Sequence, residues 1–148
     1  TMQIRNEFAT LTKEIETPDF FRQQLISQFI YKGPVVEWYT RIKTKLEKNY
    51  QFFDNIIPQE TIIVDIGCGY GYLDIMLHYV SDKRTIIGID YDKEKIETAN
   101  QIVRHNDNIN FFAKDITEED FPPAEVYILN DVLHYMPKEL QISVLNKC

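Results

Sequence analysis

Thr61-Ile-Ile-Val-Asp-Ile-Gly-Cys-Gly-Tyr-Gly71 is the stretch that decides the fold. An apolar, β-branched run reaches an acid at Asp65 and then glycines at 67, 69 and 71, the pattern of a buried strand running into a ligand-binding turn and a helix. Gly67 and Gly69 let the main chain bend sharply and approach a ligand with no side chain between, and Gly71 lets the helix pack closely on the strand. The spacing differs from a dinucleotide fingerprint: G-x-G-x-x-G needs its third glycine where Tyr72 stands. Asp65 also sets a carboxylate beside the loop, where an anion is repelled and a cation attracted. An ammonium or a sulfonium suits such a loop better than a phosphate.

The D-x-G-x-G-x-G pattern from Asp65 to Gly71 resembles motif I of the class I, Rossmann-like S-adenosylmethionine-dependent methyltransferases. In that family the glycine loop lines the cofactor's methionyl part, so the resemblance implies S-adenosyl-L-methionine at Asp65, Gly67, Cys68, Gly69 and Gly71. Three later segments agree in order. Arg84-Thr-Ile-Ile-Gly-Ile-Asp-Tyr-Asp92 ends a second strand at Asp90, nineteen residues after Gly71. An acid about 20 residues past a glycine loop is placed to accept ribose hydroxyls. Asp90 takes that role and Asp92 the N-cap of the helix starting near Lys93. In Asn110-Phe-Phe-Ala-Lys-Asp-Ile116 the resemblance implies Asp115 against the adenine amino group, with Ile116 and Tyr91 on the faces of the base; the plainer reading is that Asp115 caps the turn beginning at Thr117.

The last segment, Ala124-Glu-Val-Tyr-Ile-Leu-Asn-Asp-Val-Leu-His-Tyr-Met136, resembles the family's fourth strand and the loop beyond it. Asn130 stands where that loop passes the cofactor. His134 and Tyr135 fall in the part that faces the substrate pocket in relatives. A histidine there can act as a general base, and the alternative is a hydrogen-bonded structural residue.

Composition sets outer bounds. With 148 residues and 44% hydrophobic content the chain can bury one core. A net charge of −7 and a pI of about 4.9 argue against a nucleic-acid substrate, which needs a concentrated basic surface. The basic run from Arg41 to Lys48 is interleaved with apolar residues and reads as the wet face of an amphipathic helix. Two cysteines and three histidines give neither a disulfide framework nor a zinc set, so a reduced, cytoplasmic setting without a metal is expected. No apolar run is long enough for a membrane span.

Ahead of the glycine loop the chain is aromatic and helix-forming. Apolar residues at 21, 25, 26, 29 and 30 make a helical stripe that Gly33-Pro34 breaks, and Val35, Trp38, Tyr39, Ile42 and Leu46 mark a second helix from residue 35 to about 53. Residues 1–58 thus read as a helical cap and 59–148 as the cofactor-binding core. Tyr31, Trp38 and Tyr39 are candidates for a lid over the substrate, although plain packing explains an aromatic stripe equally well. The remaining order is strand 61–66, helix 71–80, strand 85–90, helix 93–105, strand 109–113, strand 125–130 and a helix from about Pro137. That is an α/β, doubly wound parallel sheet with helices on both faces. The family's sheet has seven strands, so the C-terminal strands are expected in the remainder of a longer chain or in a second copy, as a dimer. The opening Thr1-Met2 also reads as a cut from something larger.

The activity these features imply is direct methyl displacement onto a small-molecule or lipid-like acceptor. Two alternatives stay open: a nucleoside-binding module that does not catalyse, and an NAD-dependent oxidoreductase.

Overall fold

The computed structural model describes residues 18–29, 33, 49–130 and 132–148. Its elements are α1 (Pro18–Phe29), α2 (Asn49–Ile56), β1 (Ile62–Ile66), α3 (Tyr72–Val80), β2 (Thr85–Asp90), α4 (Lys93–Val103), β3 (Ile109–Ala113), β4 (Val126–Ile128) and α5 (Lys138–Leu145), with a 3-10 turn at Leu133–Tyr135. Among the described residues the four strands form one parallel sheet in the order β3-β2-β1-β4. The expected α/β, Rossmann-like doubly wound architecture is therefore what the chain adopts.

Side-chain alternation along the strands assigns the two faces of the sheet. Ile63, Ile86, Ile109, Phe111 and Ile128 point to one side, where α1, α3 and α4 cover them with Leu25, Phe29, Ile75, Ile96 and Ala99. Val64, Ile66 and Ile89 point to the other, against Val144 of α5 and the loop residues Phe121 and Met136. Strands buried on both sides must be apolar at nearly every position, and Ile63-Val and Ile86-Ile supply that. The predicted stripe on the first helix is buried where described, with Leu25 and Phe29 both at 0% exposure.

Boundaries differ from the sequence reading at several places. The helix expected over 35 to about 53 is described only as α2, and it runs on to Ile56. The fourth strand shortens from the expected 125–130 to Val126–Ile128, because it pairs with β1 only from Ile63↔Val126 to Asp65↔Ile128 and then leaves the sheet. Arg84 fixes the lower end of the molecule. Its fully buried guanidinium donates to Asp54 Oδ1 (2.6 Å) and to the carbonyls of Ile57 (2.8 Å) and Leu77 (3.1 Å), while Nε donates to Pro58 (3.0 Å), tying α2, α3 and β2 together.

Candidate functional site

Between β1 and β4 the strand order reverses, and in such sheets ligands bind outside the carboxyl ends of the strands at that point. A cavity of about 710 Å³ opens there, within the range of small-molecule sites. Asp65, Gly67, Cys68, Gly69, Asp90, Tyr91, Asp115, Ile116, Asn130 and Tyr135 all line it. Residues from 65 to 135 converge on one crevice although four segments supply them. Two expected site residues, Gly71 and His134, are not among those that line it; His134 is exposed, its ring 3.9 Å from that of the lining residue Tyr135. Tyr31, Trp38 and Tyr39 lie outside the described residues.

The glycine loop is held from below. The N–H groups of Gly67 and Cys68 both donate to the carbonyl of Ile89 (2.7 and 3.0 Å), and that of Gly69 donates to Asp90 Oδ2 (2.9 Å). Three successive amides are thus turned to β2. A phosphate cradle needs those donors aimed at the ligand instead.

Each glycine answers a separate constraint. Gly67, Gly69 and Gly71 all have positive φ, at 79°, 58° and 72°. A Cβ on Gly67 would meet Val132 at 2.4 Å and one on Gly71 would meet the Phe111 ring at 2.4 Å, whereas nothing lies within 4 Å of the corresponding point on Gly69. The open side of the loop is therefore at Gly69. The Phe111 ring also lies over Gly88, and Asn100 holds its backbone by donating to the carbonyl (2.8 Å) and accepting from the N–H (3.0 Å). Phe111 is a determinant of loop position that the sequence motif does not reveal, since it comes from a strand two places away.

Electrostatically the crevice is negative. Burial, followed by the neighbouring carboxyl groups of the acidic cluster, pushes the Cys68 thiol well above its usual range, so it is no thiolate nucleophile. Asp90 accepts at both oxygens, from Gly69 N–H and from Asp92 N–H (2.9 Å), with a lone pair left on each. Asp92 caps α4 by accepting from Glu94 and Lys95, as its position predicts. Asp115 does cap its turn: Oδ1 accepts from the Thr117 hydroxyl (2.6 Å) and N–H (2.9 Å), which holds its carboxyl below the usual range, and it stays exposed at the cavity. Capping and ligand reading are compatible, because the cap occupies one oxygen.

Lining residues the sequence did not single out include Tyr70, Tyr72 and Lys95. Tyr70 stacks on Tyr72 (5.6 Å, 23°) and Lys95 Nζ stands 5.6 Å over the Tyr70 ring. The tyrosine pair at 70 and 72 was the available signal. No group of histidine, cysteine and acidic residues among those described could hold a metal, and no described helix is long and apolar enough to cross a membrane.

A switch-point crevice with an acid-flanked glycine loop defines a nucleoside-binding protein of the Rossmann-like class. The model of the methyltransferase domain matches residues 57–145, and the chain belongs to that family. It is 30% identical over 82 residues to ribosomal protein L11 methyltransferase of Thermoanaerobacter pseudethanolicus, covering 54% of this chain and 26% of that protein. Protein-lysine N-methyltransferase EFM4 of Saccharomyces cerevisiae is 33% identical over 53% of this chain and 37% of its own length. The fold is shared with human N-acetylserotonin methyltransferase in complex with SAM, at a TM-score of 0.61 and 21% identity over 80% of this chain and 35% of that one. The chain thus spans about a quarter to a third of the length of these relatives. S-adenosylmethionine is the family's cofactor, and the open Gly69 side, the acidic lining and the absence of free amides at 67–69 fit it.

Proposed function

We propose that this chain is the cofactor-binding part of an enzyme that transfers the methyl group of S-adenosyl-L-methionine to a small organic or lipid-like acceptor by direct displacement. The observation that carries the reading is the crevice itself, with Asp65, Asp90 and Asp115 around a loop whose amides are turned away from the ligand. When bound, the cofactor supplies an electrophilic methyl on a cationic sulfur. Asp65 holds the cationic methionyl end, Asp90 the ribose, and Asp115 the adenine amino group, with Tyr91 and Ile116 clasping the base. Asn130 borders the loop after β4, and Tyr135 orients the acceptor at the rim. What the protein contributes is alignment and exclusion of water.

A base is optional in this scheme. His134 is the nearest candidate, and its exposed place beside the rim suits a minor role. Its test is His134→Ala, expected to hold turnover within about tenfold, below the usual worth of general-base catalysis.

A second reading, a protein side chain as acceptor, is favoured by the names of the relatives, which act on a ribosomal protein and on protein lysine. Calorimetry with S-adenosylmethionine, S-adenosylhomocysteine and NAD tests the cofactor, and tighter NAD binding ends the methyltransferase reading. Label transfer from methyl-labelled cofactor to small phenols, amines and carboxylic acids, run beside a fraction of cell protein, decides the acceptor. Label confined to protein replaces the small-molecule proposal. A protein that binds the cofactor and labels neither is a binding module.

A further inference from the structure

Asp74 has no part in the site described above, yet it stands immediately behind it. It lies in the first turn of α3, is 0% exposed, and neither of its carboxyl oxygens meets an N–H or O–H donor among the described residues. The group within hydrogen-bonding reach is another carboxyl, that of Asp65, itself 4% exposed at the end of β1. Two ionised carboxylates are acceptors only and cannot bond to each other. Side by side and out of water they also repel strongly, and one proton between them removes both problems.

The surrounding groups agree. Burial first, then the neighbouring Asp65, hold the Asp74 carboxyl well above the usual carboxylate range. From the loop Cys68 and from β2 Asp90 face the same pocket, neither bringing positive charge. On α3 itself His78 is one turn away, its buried Nδ1 unpartnered among the described residues. Arg84 is engaged at the far end of α3 with Asp54 of α2, and α1 carries no titratable side chain from 23 to 29. The N-terminus of α3 does favour an ionised Asp74, by about 1 kcal/mol, which is less than the cost of burying an unpaired charge.

We propose that Asp74 is a positioning residue: a neutral acid that shares its proton with Asp65 and thereby fixes the Asp65 carboxylate toward the cationic end of the cofactor. The ligand half of this statement rests on the S-adenosylmethionine reading; the shared proton does not. With the proton in place the pair offers the crevice one negative charge in one orientation. Asparagine at 74 keeps a donor of the same shape and leucine removes it.

The test joins a spectroscopic and a binding measurement on the full-length protein. Infrared difference spectra of wild type against Asp74→Asn at neutral pH should show the carbonyl stretch of a protonated carboxylic acid in the wild type alone. By calorimetry with S-adenosylhomocysteine, Asp74→Asn should bind within about threefold of wild type, whereas Asp74→Leu should bind about ten- to hundredfold more weakly, the worth of a hydrogen bond to a charged group. Absence of the carbonyl band overturns the proposal, and so does wild-type affinity in the leucine variant. The band needs only the wild-type and asparagine proteins, so it decides even where leucine prevents folding. A wild type that shows the band and binds no S-adenosylhomocysteine sinks the cofactor reading and leaves the shared proton standing.

Discussion

Asp90 is the residue at which loop and cavity meet, since one carboxylate anchors Gly69 and Asp92 and still faces the cavity. Asp90→Ala should weaken S-adenosylhomocysteine binding by about 1 to 3 kcal/mol, as for loss of a hydrogen bond to a charged group, and unchanged affinity in calorimetry would remove Asp90 from the site. Asp74 makes a different kind of prediction. Its folded-state proton is held above the usual carboxylate range, so between the unfolded value of about 3.9 and that raised value the native chain binds a proton the unfolded chain has released. Stability from this group is complete below that unfolded value and is lost as pH rises through the folded one. Asp74→Asn removes the dependence, so urea unfolding should find the variant gaining on wild type toward neutral pH and level with it near pH 4; a constant difference across that range contradicts the shared proton. Asp65, Asp90 and Asp92 were legible because an acid after an apolar run marks a strand end or a cap. Asp74 carried a signal too, as the sole acid in Tyr72-Leu-Asp-Ile-Met-Leu-His-Tyr-Val80, but what a helix buries against depends on partners the sequence does not name.

Between elements, the glycine loop works as a joint between β1, β2, β3 and α3. Gly71→Ala would drive a methyl group into Phe111 at a φ of 72°, and left-handed strain with overpacking should cost about 2 to 5 kcal/mol. Gly69→Ala meets no protein atom, so its stability loss should stay at the left-handed strain of about 1 to 2 kcal/mol while ligand affinity falls. Urea unfolding of the two variants separates these outcomes; equal stability losses would mean that Phe111 does not set the loop. At the opposite end of α3, Arg84→Met strands the buried carbonyls of Ile57 and Leu77 and should cost about 3 kcal/mol, with cofactor affinity per folded molecule unchanged. Strands and helices were legible here from β-branched runs ending in glycine or an acid. The length of β4 was not: 125–130 has strand composition throughout, and its shortening follows from where the chain turns off so that Val132 can close over Gly67. Arg84 was equally hidden, since only the packed helices turn a residue at the head of a strand into a buried clamp.

Across the whole molecule, charge decides which ligands approach. The net charge of −7 and the acidic lining place a positive ligand in an attractive field and a diphosphate in a repulsive one. Lys95 is the cation among the described lining residues, and it stands over Tyr70 and 3.8 Å from Asp92. S-adenosylmethionine and S-adenosylhomocysteine differ in a methyl group and one positive charge, so their comparison isolates the field acting on sulfur. That field is partly exposed to solvent and shortens with salt, from a screening length of about 30 Å at 0.01 M to about 3 Å at 1 M. Raising the salt should therefore weaken S-adenosylmethionine more than S-adenosylhomocysteine, by about fivefold for roughly 1 kcal/mol of screened attraction. Calorimetry of both ligands across that range gives two slopes. Parallel slopes would mean that the acids around the glycine loop hold the nucleoside and the amino group without acting on the sulfonium, and selection of the charged cofactor would then have to come from contacts to the methyl group itself.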